Sequence, residues 1–174
     1  MPDFLTNLGL RTASAFQHAQ IPNYAGHFLI ANFLFAHIFS SSRMQRKLLG
    51  IDNNITPRRD LGERAERAVR DGKITQVQLD RLRRIEAAHQ NNIENYPNIV
   101  AALCLAVAAG LDNQTVNKYG LIYTLGRIAY TFVYATNTTA GASAVRSVLF
   151  WVGNVTCIRL LWFAGKAINS RLNL

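Results

Sequence analysis

The sequence predicts an all-α fold: an integral membrane four-helix bundle in a single domain. Three observations predict it. Four apolar stretches, at about 24–41, 93–111, 119–136 and 143–165, each approach the ~20 residues that cross a hydrocarbon core as helix. The whole chain, residues 1–174, suits one domain. The charges avoid the apolar stretches: the chain carries +9 at pH 7, and twelve of its nineteen lysines and arginines fall between Arg43 and Arg84.

That distribution decides among partners. A pI near 10.2 would ordinarily suggest nucleic acid, but the basic residues collect in the connector after the first stretch, so no nucleic acid partner is expected. The mean hydropathy of +0.05 averages the apolar stretches with this polar connector. By the positive-inside rule the connector, 43–84, is expected to be cytosolic, with both termini on the opposite side.

Met1 to Gln20 contains Asp3 and Arg11 and lacks the basic, apolar and small-residue succession of a cleavable signal peptide, so the first stretch is expected to direct insertion itself. Its two histidines, His27 and His37, have no cysteine or carboxylate at ligand spacing, and no metal site is expected. In the connector, Asn53-Asn54 and Thr56-Pro57 read as a turn. LGERAERAVRDG then reads as a short solvated helix stopped at Asp71-Gly72.

Thr75 and Gln78 have the spacing of a capping box. A helix from there to about Gly110 would be ~50 Å long at 1.5 Å per residue. It would outrun the ~30 Å hydrocarbon core and protrude into the cytosol, with a kink expected at Pro97. Cys104 and Cys157 each stand alone in an apolar stretch and read as packing residues.

Polar residues gather at one level of these helices. Residues 88–97, AHQNNIENYP, open the second apolar stretch, and Asn91, Glu94 and Asn95 share one helical face there. In the third, Arg127, Tyr130 and Tyr134 share a face within LIYTLGRIAYTFVYA, and Arg146 and Ser147 open the fourth at the same end. Ionisable groups within spans face protein or a watery cavity and pair with one another. Two readings stay open on spacing alone. One is an internal Glu94–Arg127 ion pair with packed tyrosines. The other is a pocket for an anionic, multiply polar ligand: Arg146 and Arg127 for carboxylates, Glu94 for an ammonium, carboxamides for peptide groups. Glutathione carries that inventory.

AHQNNIENYP, GRIAYTFVYA and SAVRS, in this order and spacing, resemble the MAPEG superfamily, the membrane-associated proteins of eicosanoid and glutathione metabolism. The resemblance covers about Asn23 to Ile168, and in GRIAYTFVYA and AVRS it is strongest to microsomal glutathione transferase and microsomal prostaglandin E synthase. It implies a MAPEG-like homotrimer in the endoplasmic reticulum membrane. Glutathione would be the cofactor, bound between subunits near the cytosolic side, and the substrate a lipophilic small molecule reaching the site from membrane lipid.

Residue by residue, the resemblance implies that Asn91 and Glu94 contact glutathione from the second helix and Tyr130 and Tyr134 from the third. Arg127 matches the buried arginine of that helix. Arg146 matches the catalytic arginine that stabilises the thiolate, and Ser147 the serine beside it. Arg43 is a looser match to a further glutathione-binding arginine, and His89 matches a histidine of the second-helix tract.

The chain departs from the pattern at Ala87, where active members have arginine, at Gln90, where the prostaglandin synthase has arginine, and at Asn92, where the pattern has aspartate. Arg83 and Arg84, one turn before Ala87, are candidate replacements. The function implied is a glutathione-dependent transferase or isomerase acting on a lipophilic electrophile. The departures keep two alternatives in view. One is a glutathione-independent isomerase or cyclase with Glu94 or a tyrosine as acid or base. The other is a non-catalytic lipid-binding accessory protein.

Overall fold

The computed structural model describes residues 5, 9–10, 21–55, 57 and 60–173, and every regular element among them is helical. Helix α1, Ala25–Leu34, runs into a π-helical turn at Phe35–Phe39, and the short α2, Arg43–Leu48, follows. The connector continues through a kinked turn, Asp60–Arg64, into α3, Ala65–Arg70. Three long helices complete the chain: α4, Gln76–Ala108, α5, Asn113–Thr136, and α6, Ala140–Arg171. The four apolar stretches fall on α1 with its π turn, the second half of α4, α5 and α6.

Local chemistry sets the boundaries of α4 and α5. Thr75 Oγ1 accepts from the Gln78 amide at 3.2 Å while Gln78 Oε1 accepts from the Thr75 amide at 2.8 Å, so two of the donors that a helix start leaves unpaired are satisfied. Gly110, at φ +68°, turns the chain out of α4 in the left-handed conformation that favours glycine. Asp112 then caps α5, accepting from the Thr115 amide at 2.8 Å.

One apolar core joins the long helices. Ile99, Ala102, Leu103 and Ala106 form one face of α4, buried against Val116 and Tyr123 of α5, Cys157 and Leu160 of α6, and Ala25 of α1. Small side chains let these helices approach closely, and polar side chains tie them together. Asn32 Nδ2 donates to Thr124 Oγ1 at 2.7 Å, Asn92 Nδ2 to Thr131 Oγ1 at 2.8 Å, and Tyr123 Oη to the Asn95 carbonyl at 3.1 Å.

The connector is less bare than its composition suggests. Ile51, Ala65, Ala68, Ile74, Leu79 and Leu82 close into a second core, so α3 lies against the first turns of α4 with Ala65 wholly buried. The part of α4 that extends past its apolar half is thereby packed on a small folded module. Among the described residues, one helical segment, Ser143–Arg171, is by itself long and apolar enough to cross a membrane. The α-helical part of α1 is only ten residues, and the apolar half of α4 opens with Glu94 and Asn95.

Candidate functional site

The three-residue joint between α5 and α6 fixes the geometry of the site. Because α5 ends at Thr136 and α6 starts at Ala140, Tyr134 in the last turn of one and Arg146 in the second turn of the other lie at one level. The Arg146 guanidinium carbon stands 4.5 Å from the centroid of the Tyr134 ring, a cation–π distance. Nη2 of Arg146 also donates to Ser143 Oγ at 3.0 Å, one turn earlier on α6. Two contacts thus orient the guanidinium, whose fork has five donors in all.

These residues line an open cavity of about 270 Å³, bounded by Ala87 and Asn91 of α4, Tyr130 and Tyr134 of α5, and Arg146, Ser147, Phe150 and Trp151 of α6. The Tyr130 and Tyr134 rings meet edge to face at 5.6 Å, and Tyr130 also lies 6.2 Å from Phe150. One wall therefore offers a cation, two phenols, a carboxamide and a hydroxyl, and the other is aromatic.

Arg127 stands behind this wall. It is 2% exposed and lies between the rings of Tyr123 and Tyr130, at 5.8 and 5.0 Å. Its Nη2 donates to the main-chain carbonyl of Asn91 at 2.8 Å and to Asn91 Oδ1 at 3.2 Å. Asn95 Nδ2 reaches the same carbonyl at 2.9 Å. Arg127 thus holds Asn91 in place and is absent from the lining of the cavity.

Glu94, Arg43 and His89 point elsewhere. Glu94 is exposed and accepts from Gln90 Nε2 at 3.1 Å; among the described residues no ion pair joins it to Arg127. Arg43, at the start of α2, donates to the Asn54 side chain and lies 3.8 Å from Asp52. His89 faces the end of the π turn after α1, where Nδ1 lies 3.0 Å from Ser40 Oγ. It borders a second cavity of about 500 Å³, shared with Arg46, Arg83, Glu86 and Gln90. Ala87 borders both cavities and so marks the ridge between them.

Burial lowers the pKa of His89 from 6.5, against an opposing pull from Glu86, so the imidazole is neutral at neutral pH. Of the candidate replacement cations, Arg83 is engaged, donating to the Leu61 carbonyl at 3.2 Å and to Glu66 at 2.9 Å.

The structure therefore gathers Asn91, Tyr130, Tyr134, Arg146 and Ser147, with Arg127 adjoining, and leaves Glu94, Arg43 and His89 outside. Sequence reasoning missed Phe150 and Trp151 as part of the wall. Their signal was spacing: they follow Arg146 by four and five residues, one turn further along α6.

No curated protein and no solved structure matches the sequence. The MAPEG family model matches residues 21–166, a range that contains every residue lining the cavity. The chain belongs to the MAPEG family.

Proposed function

We propose that this MAPEG protein is a glutathione-dependent transferase or isomerase that acts on a lipophilic electrophile at the cytosolic boundary of a membrane. The observation that carries the reading is the placement of Arg146. An always-charged guanidinium, oriented by Tyr134 and Ser143, faces an open cavity beside the Asn91 carboxamide and two phenols. The family includes glutathione-dependent transferases and isomerases.

The residues present fit glutathione in kind. Arg146 suits an anion, Asn91 a peptide group, and the hydroxyls of Ser147, Tyr130 and Tyr134 either partner of a hydrogen bond. Glutathione, when bound, supplies a thiol whose anion is a nucleophile. Arg146 would hold that sulfur in its anionic form, since each unit of pKa depression needs ~1.4 kcal/mol of preference for the charged state. Asn91, kept rigid by Arg127, would fix the peptide backbone. Phe150 and the exposed Trp151 would exclude water and receive an apolar substrate from the lipid side.

The wider arrangement follows the same reading. The four apolar stretches are taken as spans, with the arginine-rich connector on the cytosolic side of the endoplasmic reticulum. The exposed side of α4 supports a homotrimer. Glu94, Ala101 and Ala108 recur every seven residues on it, as do Gln90, Pro97 and Cys104, and this is the spacing of helices packed around a common axis. Such packing would cover Glu94 and bring Gln90 and Glu94 toward the cavity of a neighbouring copy.

A second reading, a glutathione-independent enzyme or lipid-binding protein, is favoured by Ala87, an uncharged side chain at the rim, and by Gln90, whose amide is bound to Glu94. Calorimetry with the detergent-purified protein separates the two. Glutathione binding, with a thiolate ultraviolet absorbance that disappears in Arg146→Ala, supports the first. No binding at millimolar glutathione selects the second.

A further inference from the structure

The surface that follows α1 combines exposed apolar residues with unpaired positive charge. Ile38 and Phe39, at the end of the π turn, are 57% and 73% exposed, and Met44 and Leu48 of α2 are 68% and 81% exposed. Met44 and Leu48 are four residues apart and share one face of α2. Lys47 is exposed with them, while Ser42 and Arg46 are buried. So α2 is amphipathic with its apolar and basic side turned outward.

Three ties hold α2 in that orientation. Ser42 Oγ donates to Glu86, Ser40 Oγ contacts His89, and Arg46 Nη1 donates to the Pro57 carbonyl at 2.7 Å. These anchor the helix to α4 and to the connector. Its outward face is therefore fixed.

Beside it lies a groove of about 270 Å³ between α2 and the first turns of α4. Leu48, Leu49 and Leu82 supply its apolar side chains, and Gln45, Gln78 and Arg81 its polar ones. Lys47 and Arg81 are both exposed, and neither makes an ion pair or hydrogen bond with a side chain among the described residues. No aspartate or glutamate occurs between Asp3 and Asp52, so the segment leading out of α1 carries only positive charge.

We infer that this face, Met44, Lys47 and Leu48 with the adjoining groove at Arg81, docks into the acidic leaflet of the membrane that the protein spans. The inference rests on the membrane reading above and adds the lipid charge and the residues that meet it. Two observations favour lipid over a soluble partner. The apolar face continues directly from the exposed end of α1, and the exposed charges on it, Lys47 and Arg81, are both positive, complementary to anionic headgroups. Met44 and Leu48 enter the acyl boundary, and Lys47 and Arg81 bind phosphate or carboxylate groups above it.

The test uses the full chain in nanodiscs, with Cys104→Ser to remove the exposed thiol and an environment-sensitive dye on Leu48→Cys. A second preparation carries the dye on Val155→Cys, on the exposed apolar face of α6, and reports membrane insertion alone. With phosphatidylserine present the Leu48 dye should shift to blue emission. It should revert in phosphatidylcholine alone, in about 1 M salt, where the screening length is ~3 Å, and in Lys47→Glu/Arg81→Glu. A water-like Leu48 signal with a lipid-like Val155 signal overturns the inference and leaves the membrane reading standing. Water-like signals at both positions overturn both. A lipid-like Leu48 signal indifferent to phosphatidylserine and to the charge reversals overturns the assignment to acidic lipid.

Discussion

Arg127 of α5 donates across the helix interface to the main-chain carbonyl of Asn91 on α4, at 2.8 Å, and to its side-chain oxygen at 3.2 Å. A wholly buried cation is thus spent on presenting a neighbour to the cavity. Lysine keeps the charge but has no planar fork to serve both oxygens from between two tyrosine rings. Arg127→Lys is expected to cost about 1.5–3 kcal/mol, the worth of a charge-assisted hydrogen bond. It should lower the melting temperature in detergent and weaken glutathione binding, although Arg127 does not line the cavity. An unchanged melting temperature would show that the bond contributes nothing.

Tyr134 and Arg146 make separable contributions. Tyr134→Phe keeps a ring face under the guanidinium and should leave glutathione affinity nearly unchanged. Tyr134→Leu removes the cation–π contact and should weaken binding roughly two- to fivefold. Arg146→Ala should abolish the thiolate absorbance, with about a tenfold loss of anion for each pH unit by which the thiol pKa rises. Equal losses in Tyr134→Phe and Tyr134→Leu would point to the phenol hydroxyl instead.

His89 gives the protein a predictable response to acid. Burial lowers its folded pKa below 6.5, so between that folded value and 6.5 the unfolded chain binds more protons than the folded one. This contribution to stability is therefore fully present above pH 6.5 and is lost as pH falls through 6.5 toward the folded value. His89→Gln keeps a hydrogen-bonding group near Ser40 and cannot titrate. Melting curves between about pH 7.5 and 5.5 should show a shallower decline in His89→Gln than in the parent protein.

What the sequence made legible was local or periodic. The capping box needed only Thr75 and Gln78, and the convergence of Asn91, Tyr130, Tyr134 and Arg146 followed from their shared faces and shared end of the bundle. The partner of Arg127 was not legible, because a main-chain carbonyl leaves no mark in a sequence, whereas Glu94, three residues from Asn91, stood out as a carboxylate. The connector core was hidden for a different reason. Ile51, Ala65, Ala68, Ile74, Leu79 and Leu82 are spread over thirty-two residues dense in charge, and only the fold collects them.

That hidden core has a test of its own. Leu82 of α4 is 1% exposed and packs in the core with Ile51, Ala65, Ala68 and Ile74. Leu82→Ala should destabilise the module by about 2–5 kcal/mol and leave the core of the long helices intact. Trypsin has many sites among the connector arginines, so cleavage between Arg43 and Arg84 should accelerate while helicity by circular dichroism changes little. A connector cleaved equally fast in both proteins would mean that this core does not protect it.

The seven-residue repeat on α4 tests the proposed homotrimer and the site together. Ala101 is exposed and lies between Glu94 and Ala108 in that repeat, so a common axis would leave little room there for a larger side chain. On the homotrimer proposal, Ala101→Phe should dissociate the assembly, read as a fall in mass by native mass spectrometry. Ile158→Phe, on the exposed face of α6, should leave assembly unchanged. If a neighbouring copy completes the cavity with Gln90 and Glu94, glutathione binding should fall in step with the trimer across a dilution series of Ala101→Phe. Full binding by a dissociated subunit would place the whole site within the Arg146 cavity of one chain, and the exposed Glu94 would then need another explanation.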